Sequence, residues 1–313
     1  MIERRCPGNN LSRPVPRSPR YTPRMSRAVP FLTILAFAWI ATPVSPCTIF
    51  IVERDGVVFA GANEDNAVAK RFSEHWVRFF PAEKPDELGY VSFGYDTAPL
   101  VDQAAVNEAG LFYDFNALPA HDGVNEAAER IANLFTFKVM LRTCRTLDEA
   151  LEFMSRYDFP GMTRAQMVLG DATGASAIVE RHTVTRRDPG ADFQIGTNFR
   201  TSTTPRNKIT CWRYKLCNKR LSEGDAVSVE SVRSLLEGSM PKGDRYISWY
   251  SKVIDLKAGR IHLFRKADFT RAVVIDLAKE LELGEREIDM DELMETKSKP
   301  YAPSGGEVSE GKR

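Results

Sequence analysis

Cys47 is the residue whose position points most directly to chemistry. It directly follows an uncharged, largely apolar stretch and precedes a predicted β-strand over residues 48–52. If proteolysis makes Cys47 the first residue, its own α-amine becomes a neighbouring base, and an α-amine titrates near ~8, close to working pH. A thiol with a base in the same residue is a self-contained nucleophile. The position of Cys47 therefore predicts covalent catalysis once the preceding segment is removed.

The composition argues against several other kinds of chemistry. Only 4 His and 5 Cys occur in 313 residues, without a CxxC or HExxH pair, so an all-protein zinc site is not expected. Neither GxGxxG nor GxxxxGK[ST] is present, so phosphate-cradling nucleotide chemistry has no support. With 43 Lys and Arg against 42 Asp and Glu, the chain lacks the basic excess of a nucleic-acid-binding protein.

Residues 1–46 are predicted to be an amino-terminal extension with a signal peptide that is removed. They contain seven Arg, one Glu and eight Pro, and the apolar run 31–40 is shorter than the ~20 residues of a spanning helix. We therefore expect an exported protein, periplasmic or extracellular, with no stable membrane span after processing. Pro46 disfavours cleavage directly before Cys47, so cleavage after Ser45 would leave a residue to be removed autocatalytically. Met25 is an alternative start.

The remaining chain, residues 47–295, is predicted to be one catalytic domain of the α+β class with mainly antiparallel sheets. Its strands form hairpins, which turn near residues 54–56, 171–174 and 257–259. Its helices are predicted near residues 125–143, 146–157, 206–221 and 227–237, and Thr146-Leu-Asp-Glu149 is a capping box. The Lys/Ser/Gly/Pro-rich tail, residues 296–313, is predicted to be disordered.

Five blocks in order resemble the linear-amide C–N hydrolases of the amino-terminal nucleophile (Ntn) superfamily, the group of choloylglycine (bile salt) hydrolases and penicillin V acylases. Cys47-Thr48 begins a hairpin that ends in Gly61-Ala-Asn-Glu-Asp65, similar to the group's Gly-x-Asn-x-Asp segment. The other blocks are Val106-Asn-Glu-Ala-Gly-Leu111 with Asn116 after it, the hairpin from Asp171 to Glu180, Gly196-Thr-Asn198, and the closing hairpin that begins at Tyr250. This resemblance implies a four-layer αββα sandwich with two stacked sheets.

The same resemblance implies roles for individual residues. Cys47 would be the nucleophile and its α-amine the proton acceptor, with Asp65 accepting hydrogen bonds from the ammonium. Asn116 would donate its amide to the oxyanion, and Asn198 would orient the Cys47 amine or polarise the substrate carbonyl. Taken singly, Asp65 and Asn116 could be turn residues and Asn198 a strand-end cap. Together with the other blocks, the functional role is preferred for Asp65 and Asn116, and narrowly for Asn198.

The group's conserved arginines are matched less clearly. Bile salt hydrolases carry an Arg where this chain has Ala62, which weakens the case for conjugated bile acids as substrates. For the later Arg, the sequence offers Arg206, Arg213 and Arg245, and we select Arg213 in Cys-Trp-Arg-Tyr as the candidate catalytic residue.

The resemblance implies a secreted cysteine amidohydrolase that cleaves linear amides of small N-acyl compounds through a Cys47 thioester, with neither metal nor organic cofactor. An isopenicillin N acyltransferase-like enzyme, in which an amine replaces water, is the nearest alternative. A catalytically silent, anchored envelope protein is the alternative from another class. The sequence leaves a homo-oligomer open.

Overall fold

The computed structural model describes residues 46–68, 74–95, 102–120, 128–133 and 135–301. The predicted extension and signal peptide, apart from Pro46, and residues 302–313 lie outside these ranges. The strands are β1 Thr48–Arg54, β2 Val57–Ala67, β3 His75–Phe80, β4 Tyr90–Tyr95, β5 Ala104–Asn107, β6 Phe112–Ala117, β7 Arg130–Ile131, β8 Tyr157–Asp158, β9 Ala165–Gly170, β10 Ser176–Glu180, β11 Thr183–Arg186, β12 Phe193–Gly196, β13 Tyr246–Asp255, β14 Arg260–Arg265, β15 Asp268–Asp276, β16 Arg286–Asp289 and β17 Lys299–Pro300. The helices are α1 Thr136–Thr143, α2 Leu147–Ser155, α3 Trp212–Ser222, α4 Val229–Gly238, α5 Leu277–Leu281 and α6 Met290–Lys297.

Two large antiparallel sheets form the centre of the molecule. The first has seven strands in the order β12-β1-β2-β13-β14-β15-β17, and the second has eight in the order β11-β10-β9-β6-β5-β4-β3-β16. The predicted hairpin of β1 and β2 turns at Asp55 and Gly56, both with positive φ, which is the backbone of a type I′ turn. The hairpins β9–β10 and β13–β14 also lie where the sequence predicted them.

Three apolar layers hold the sandwich together. Alternate residues of β1 show the arrangement, because Ile49 and Ile51 face the second sheet while Phe50 and Val52 face the helices on the outside. Helices α3 and α4 cover the first sheet, and α1 and α2 cover the second. The predicted four-layer αββα architecture is thus confirmed, and both faces of the central strands β1, β2, β6 and β9 are buried.

The predicted helix over residues 125–143 is shorter in the structure. Its described part begins at Thr136, and residues 130–131 instead form β7, which pairs with β8 in a parallel ladder. Ile131 is 74% exposed, so the helical spacing of apolar residues there does not mark a buried face. Helix α2 begins at the predicted capping box, with reciprocal hydrogen bonds between Thr146 and Glu149.

The last described residues pack onto the sandwich, with α6 against strands of both sheets and β17 at the edge of the first. The predicted domain end at residue 295 falls inside α6, and β17 pairs with β15 after it. Tyr301, the last described residue, lies edge-on to Phe264 with ring centroids 5.6 Å apart. Among the described residues, no helix has the length and apolar content needed to cross a membrane.

Candidate active site

Cys47 directly precedes β1, at the end of the first sheet that Asn198 joins to the second. Its side chain is 5% exposed, and its main-chain nitrogen, here the nitrogen of the Pro46–Cys47 peptide, donates a 2.9 Å hydrogen bond to Asn198 Oδ1. Its Sγ lies 3.7 Å from the main-chain oxygen of Asp65. Burial raises the pKa of the Cys47 thiol well above its ordinary value, and the nearby carboxylates raise it further. The resting residue is therefore a thiol rather than a thiolate.

Asn198 and Arg213 form a polar clasp around the Cys47 main chain. Asn198 Nδ2 donates to the main-chain oxygen of Ala117 at 2.8 Å, so this side chain joins the ends of both sheets. Arg213 Nη2 donates to Asn198 Oδ1 at 2.8 Å, and Arg213 Nη1 donates to the Cys47 carbonyl oxygen and, at 3.0 Å, to Thr48 Oγ1.

The other two arginine candidates lie away from this clasp. Arg206 is exposed and pairs with Asp188, and Arg245 is exposed in the segment before β13. Of the three candidates, the structure therefore brings Arg213 to Cys47. It is a buried residue of α3, and its guanidinium reaches the first sheet across the layer boundary.

Asp65 lies near the end of β2 with 2% exposure. Ser248 Oγ donates to its Oδ1 at 2.5 Å, while its Oδ2 has no hydrogen-bond partner among the described residues. Burial raises the pKa of Asp65 to about 7, and the Ser248 hydrogen bond and the Arg213 charge act in the opposite direction. This carboxyl group therefore changes charge near neutral pH.

Asn116 is a strand residue of β6 and not a turn residue. Its side chain is fully buried, yet within the described ranges neither Nδ2 nor Oδ1 has a hydrogen-bond partner. Gly196 makes room for it, because a Cβ atom there would lie 2.7 Å from Asn116 Oδ1 and 2.4 Å from Val168 Cγ2. A buried amide without a partner is costly, which is typical of a group kept for a ligand.

A cavity of about 240 Å³ brings Cys47, Asp65 and Asn116 together. Its wall is partly aromatic: His75 stacks on Trp249 with ring centroids 5.3 Å apart and lies edge-on to Tyr250 at 5.8 Å. Asn198 and Arg213 are not among its lining residues. They contact the main chain of Cys47 instead. The five predicted site residues therefore divide into three that line the cavity (Cys47, Asp65 and Asn116) and two that hold the Cys47 main chain in place (Asn198 and Arg213).

Three charged residues of the site were not identified from the sequence. Lys252 of β13 is fully buried, with Nζ 3.1 Å from Glu64 Oε1 and 2.9 Å from Asp114 Oδ2. Glu64 Oε2 in turn accepts a long hydrogen bond from Cys47 Sγ at 3.8 Å. The lysine at the start of the predicted strand 252–256 was the signal that could have revealed this cluster.

Nothing in the described ranges suggests a metal centre, since they contain no group of three or more His, Cys, Asp or Glu side chains placed to hold an ion. The four described cysteines, Cys47, Cys144, Cys211 and Cys217, are all free thiols. The chemistry that the described residues can perform on their own is nucleophilic attack by a thiol, with an amide donor beside it.

Comparison with known proteins gave one family and a set of similar structures. The family model described as acyl-coenzyme A:6-aminopenicillanic acid acyl-transferase matches residues 52–211. A variant of conjugated bile acid hydrolase from Clostridium perfringens has a TM-score of 0.55 at 13% identity, covering 78% of this chain and 96% of its own. Penicillin V acylase from Agrobacterium tumefaciens has a TM-score of 0.56 at 15% identity, covering 82% and 98%. At these identities the two structures show a shared fold. The search of curated proteins gave no significant match.

Asp65→Asn should remove a pH-dependent cost to folding. With a pKa of about 7 in the folded chain against an ordinary 3.8, Asp65 keeps a proton that the unfolded chain releases. Stability therefore falls as pH rises from about 4 to 7, and above pH 7 the full cost, at most ~4 kcal/mol, is present. We expect the difference in Tm between full-length Asp65→Asn and wild type to increase in favour of the variant from pH 5 to pH 8. Asp148→Asn, at an exposed site on α2, should show no such trend, and parallel Tm curves for Asp65→Asn and wild type would contradict the prediction.

Gly196→Ala tests whether the close approach of the sheets positions Asn116. The new methyl group would overlap Val168 and the Asn116 carboxamide, so we expect a loss of about 1–3 kcal/mol in stability from overpacking. We also expect a lower kcat in the folded fraction. Gly161→Ala is the matched control, because a Cβ there meets nothing within 4 Å. Unchanged turnover in folded Gly196→Ala would show that this packing does not position the amide.

Proposed function

Since this chain belongs to the acyl-coenzyme A:6-aminopenicillanic acid acyl-transferase family, we propose that it is an exported cysteine amidohydrolase acting through a Cys47 thioester. Its substrates in this proposal are linear, non-peptide amides of small N-acyl compounds. The observation that carries it is the cavity in which the buried Cys47 thiol meets the Asn116 amide, a donor with no partner among the described residues. A thiol beside an unused, preorganised donor is what acyl transfer requires.

Processing would convert the Cys47 peptide nitrogen into an α-amine at the place where Asn198 Oδ1 already accepts its hydrogen bond. Asp65 Oδ2, which has no hydrogen-bond partner among the described residues, supplies a further acceptor for the ammonium form. In the reaction, Sγ attacks the amide carbonyl, Asn116 Nδ2 and a backbone N–H donate to the oxyanion, and the leaving amine takes a proton from the Cys47 ammonium. Water then hydrolyses the thioester.

The substrate class is narrowed by the charges at the site. Ala62, where bile salt hydrolases carry an Arg, is buried between the sheets, opposite Lys252 on β13. The Lys252 ammonium is engaged by Glu64 and Asp114, so it offers no free positive charge to a substrate anion. We propose that simple N-acyl amides, such as penicillin V or N-acyl homoserine lactones, are turned over in preference to conjugated bile salts.

Acyl transfer is the second candidate, favoured by the description of the matching family, an acyl-coenzyme A-dependent acyl-transferase. Both activities use the same nucleophile and the same oxyanion donor. They differ in whether water or an amine attacks the thioester. Product analysis with and without an added amine separates them, since a transferase converts the acyl group to a new amide.

The decisive experiment is to read the amino terminus of the exported protein by mass spectrometry and to assay the same preparation. We expect a free Cys47 terminus, turnover of penicillin V or an N-acyl homoserine lactone, and loss of that turnover in Cys47→Ser. An active enzyme whose terminus lies upstream of Cys47 would contradict the mechanism, because the nitrogen would remain an amide and could not act as a base. Glycocholate as the best substrate in the panel would contradict the proposed substrate class.

Asn116→Ala separates an oxyanion donor from a structural residue. If Asn116 donates in the transition state alone, kcat should fall by ~10²–10³ with KM nearly unchanged. Asn107→Ala is the matched contrast, because the Asn107 amide donates to the main-chain oxygens of Leu141 and Cys144, both at 2.8 Å, away from the cavity. It should melt earlier yet turn over normally. An Asn116→Ala enzyme that melts early and keeps its kcat would remove Asn116 from the site.

A further inference from the structure

Two consecutive residues of β13, Trp249 and Tyr250, both line the active-site cavity. In a regular strand their side chains would lie on opposite faces of the sheet. The register of β13 against β2 shifts at this point, from Ser248 opposite Asp65 to Tyr250 opposite Glu64, so Trp249 is the extra residue of a β-bulge. Bulges redirect side chains next to active sites. The cavity end of β13 thus presents two aromatic side chains, of which Tyr250 carries a hydroxyl group.

The Tyr250 hydroxyl is a buried donor. Tyr250 is 1% exposed, and among the described residues nothing forms a hydrogen bond with its oxygen. Burial raises the pKa of the phenol well above its ordinary value, and acidic groups around it, Tyr95 and Cys47 included, raise it further. The hydroxyl therefore keeps its proton. Since Tyr95 and Cys47 also line the cavity, the hydroxyl lies near the space that a substrate would occupy.

Neighbouring groups hold the Tyr250 ring in place. The His75 ring lies edge-on to it with centroids 5.8 Å apart, and Lys252 Nζ lies 4.7 Å from its centroid. Lys252 is in turn fixed by ion pairs with Glu64 and Asp114. A ring packed in this way keeps its hydroxyl at one point. A buried donor that is held in place without a partner is costly, which is typical of a group kept for a ligand.

Tyr250 lies on the opposite side of Cys47 from Asn116 and Asn198. In the first sheet β1, which follows Cys47, lies between β12 and β2, and β13 lies beyond β2. Asn198 follows β12, and Gly196 of β12 is the residue that makes room for Asn116. Tyr250 is displaced in the other direction by two strand spacings, about 10 Å from β1. The cavity therefore has the two amides at one side and the phenol at the other.

This arrangement leaves one place for the acyl chain of a substrate. In the proposed reaction the carbonyl oxygen is directed at Asn116, and the leaving amine is directed at the Cys47 nitrogen, from which it takes a proton. The third substituent of the carbonyl carbon, the acyl chain, therefore extends away from β12 and towards the aromatic wall that includes Tyr250. The cavity holds about 240 Å³, less than the ~300–1,000 Å³ of most ligand pockets, so a short chain fills it.

We propose that Tyr250 is a specificity-determining residue, whose hydroxyl donates a hydrogen bond to an oxygen atom carried by the acyl chain. The inference rests on the proposed amide cleavage through Cys47. Its substrates are short N-acyl amides with an oxygen on the chain, such as a 3-oxoacyl group, in place of a plain alkyl chain. A plain chain covers the hydroxyl and offers it no acceptor. The contact serves hydrolysis and acyl transfer alike, because both pass through the same acyl-enzyme.

Two matched substrates test this contact, N-(3-oxohexanoyl)- and N-hexanoyl-homoserine lactone, which differ in the keto oxygen alone. Wild type with a free Cys47 terminus should favour the 3-oxo compound by about 10-fold in kcat/KM, and Tyr250→Phe should reduce this ratio to within about 2-fold. The change in the ratio reports the contact, since the keto group makes the carbonyl carbon more electrophilic in both enzymes.

Tyr113→Phe is the matched control. Tyr113 is a fully buried tyrosine whose hydroxyl also has no hydrogen-bond partner within the described ranges, but it is not among the residues that line the cavity. It should keep the wild-type ratio. The Tm of Tyr250→Phe should be equal to or above that of wild type, because the substitution removes a buried polar atom without a partner. A lower Tm would show that the hydroxyl is bonded within the protein and would overturn the proposal.

The kinetic outcomes separate this inference from the proposed function. An unchanged ratio in folded Tyr250→Phe overturns the inference, and so does an equal loss of kcat/KM for both substrates, which would place the hydroxyl at the scissile carbonyl or at the amine. If Tyr250→Phe does not fold, a wild-type enzyme without any preference between the two substrates overturns it as well. Absence of all N-acyl amide turnover in wild type with a free Cys47 terminus contradicts the proposed function, and the inference with it.

Discussion

The burial of one charged lysine between two sheets is the constraint on which the centre of this protein depends. Removing an ammonium from water costs several kcal/mol unless partners compensate for it. Lys252 finds one partner, Glu64, on its own sheet and another, Asp114, on the sheet that it faces. The two sheets must therefore stack at one separation and in one register to satisfy it. Since β2 also carries Asp65, the same requirement aligns the strand end that surrounds the Cys47 sulfur.

The site keeps polar groups in a state that folding alone would not favour. Asp65 has a buried oxygen without a partner in the described ranges, and the Asn116 amide is likewise unsatisfied. Each such group costs about 1–3 kcal/mol in a typical protein. The apolar layers inside and outside the sheets can offset these costs, since they bury both faces of the strands that carry the site. A rigid apolar frame with a few unsatisfied polar groups is what preorganised catalysis requires.

Local sequence signals predicted much of this arrangement. The hairpins were evident from their turn residues and the start of α2 from its capping box. The layer architecture was implied by the family resemblance that the ordered blocks carry. The choice among Arg206, Arg213 and Arg245 could not be made from local signals. It depends on where α3 lies over Cys47, and Arg213 and Cys47 are 166 residues apart in the sequence. The roles of Glu64 and Lys252 were not predicted for the same reason. These residues are 188 positions apart in the sequence, and they pair only in the assembled sandwich. Helical spacing misled at Ile131, where the apolar side chain faces solvent.

Asn198 connects the two sheets through a single side chain, with Cys47 at one end and Ala117 at the other. These partners are 151 and 81 residues from it along the chain, so neither contact can form early by local collapse. The clasp can thus close only when both sheets have formed and docked. A chain that is still folding carries the thiol without the residues that would direct it. The polar surroundings of Cys47 are therefore a product of the assembled sandwich and not of any local segment of the chain.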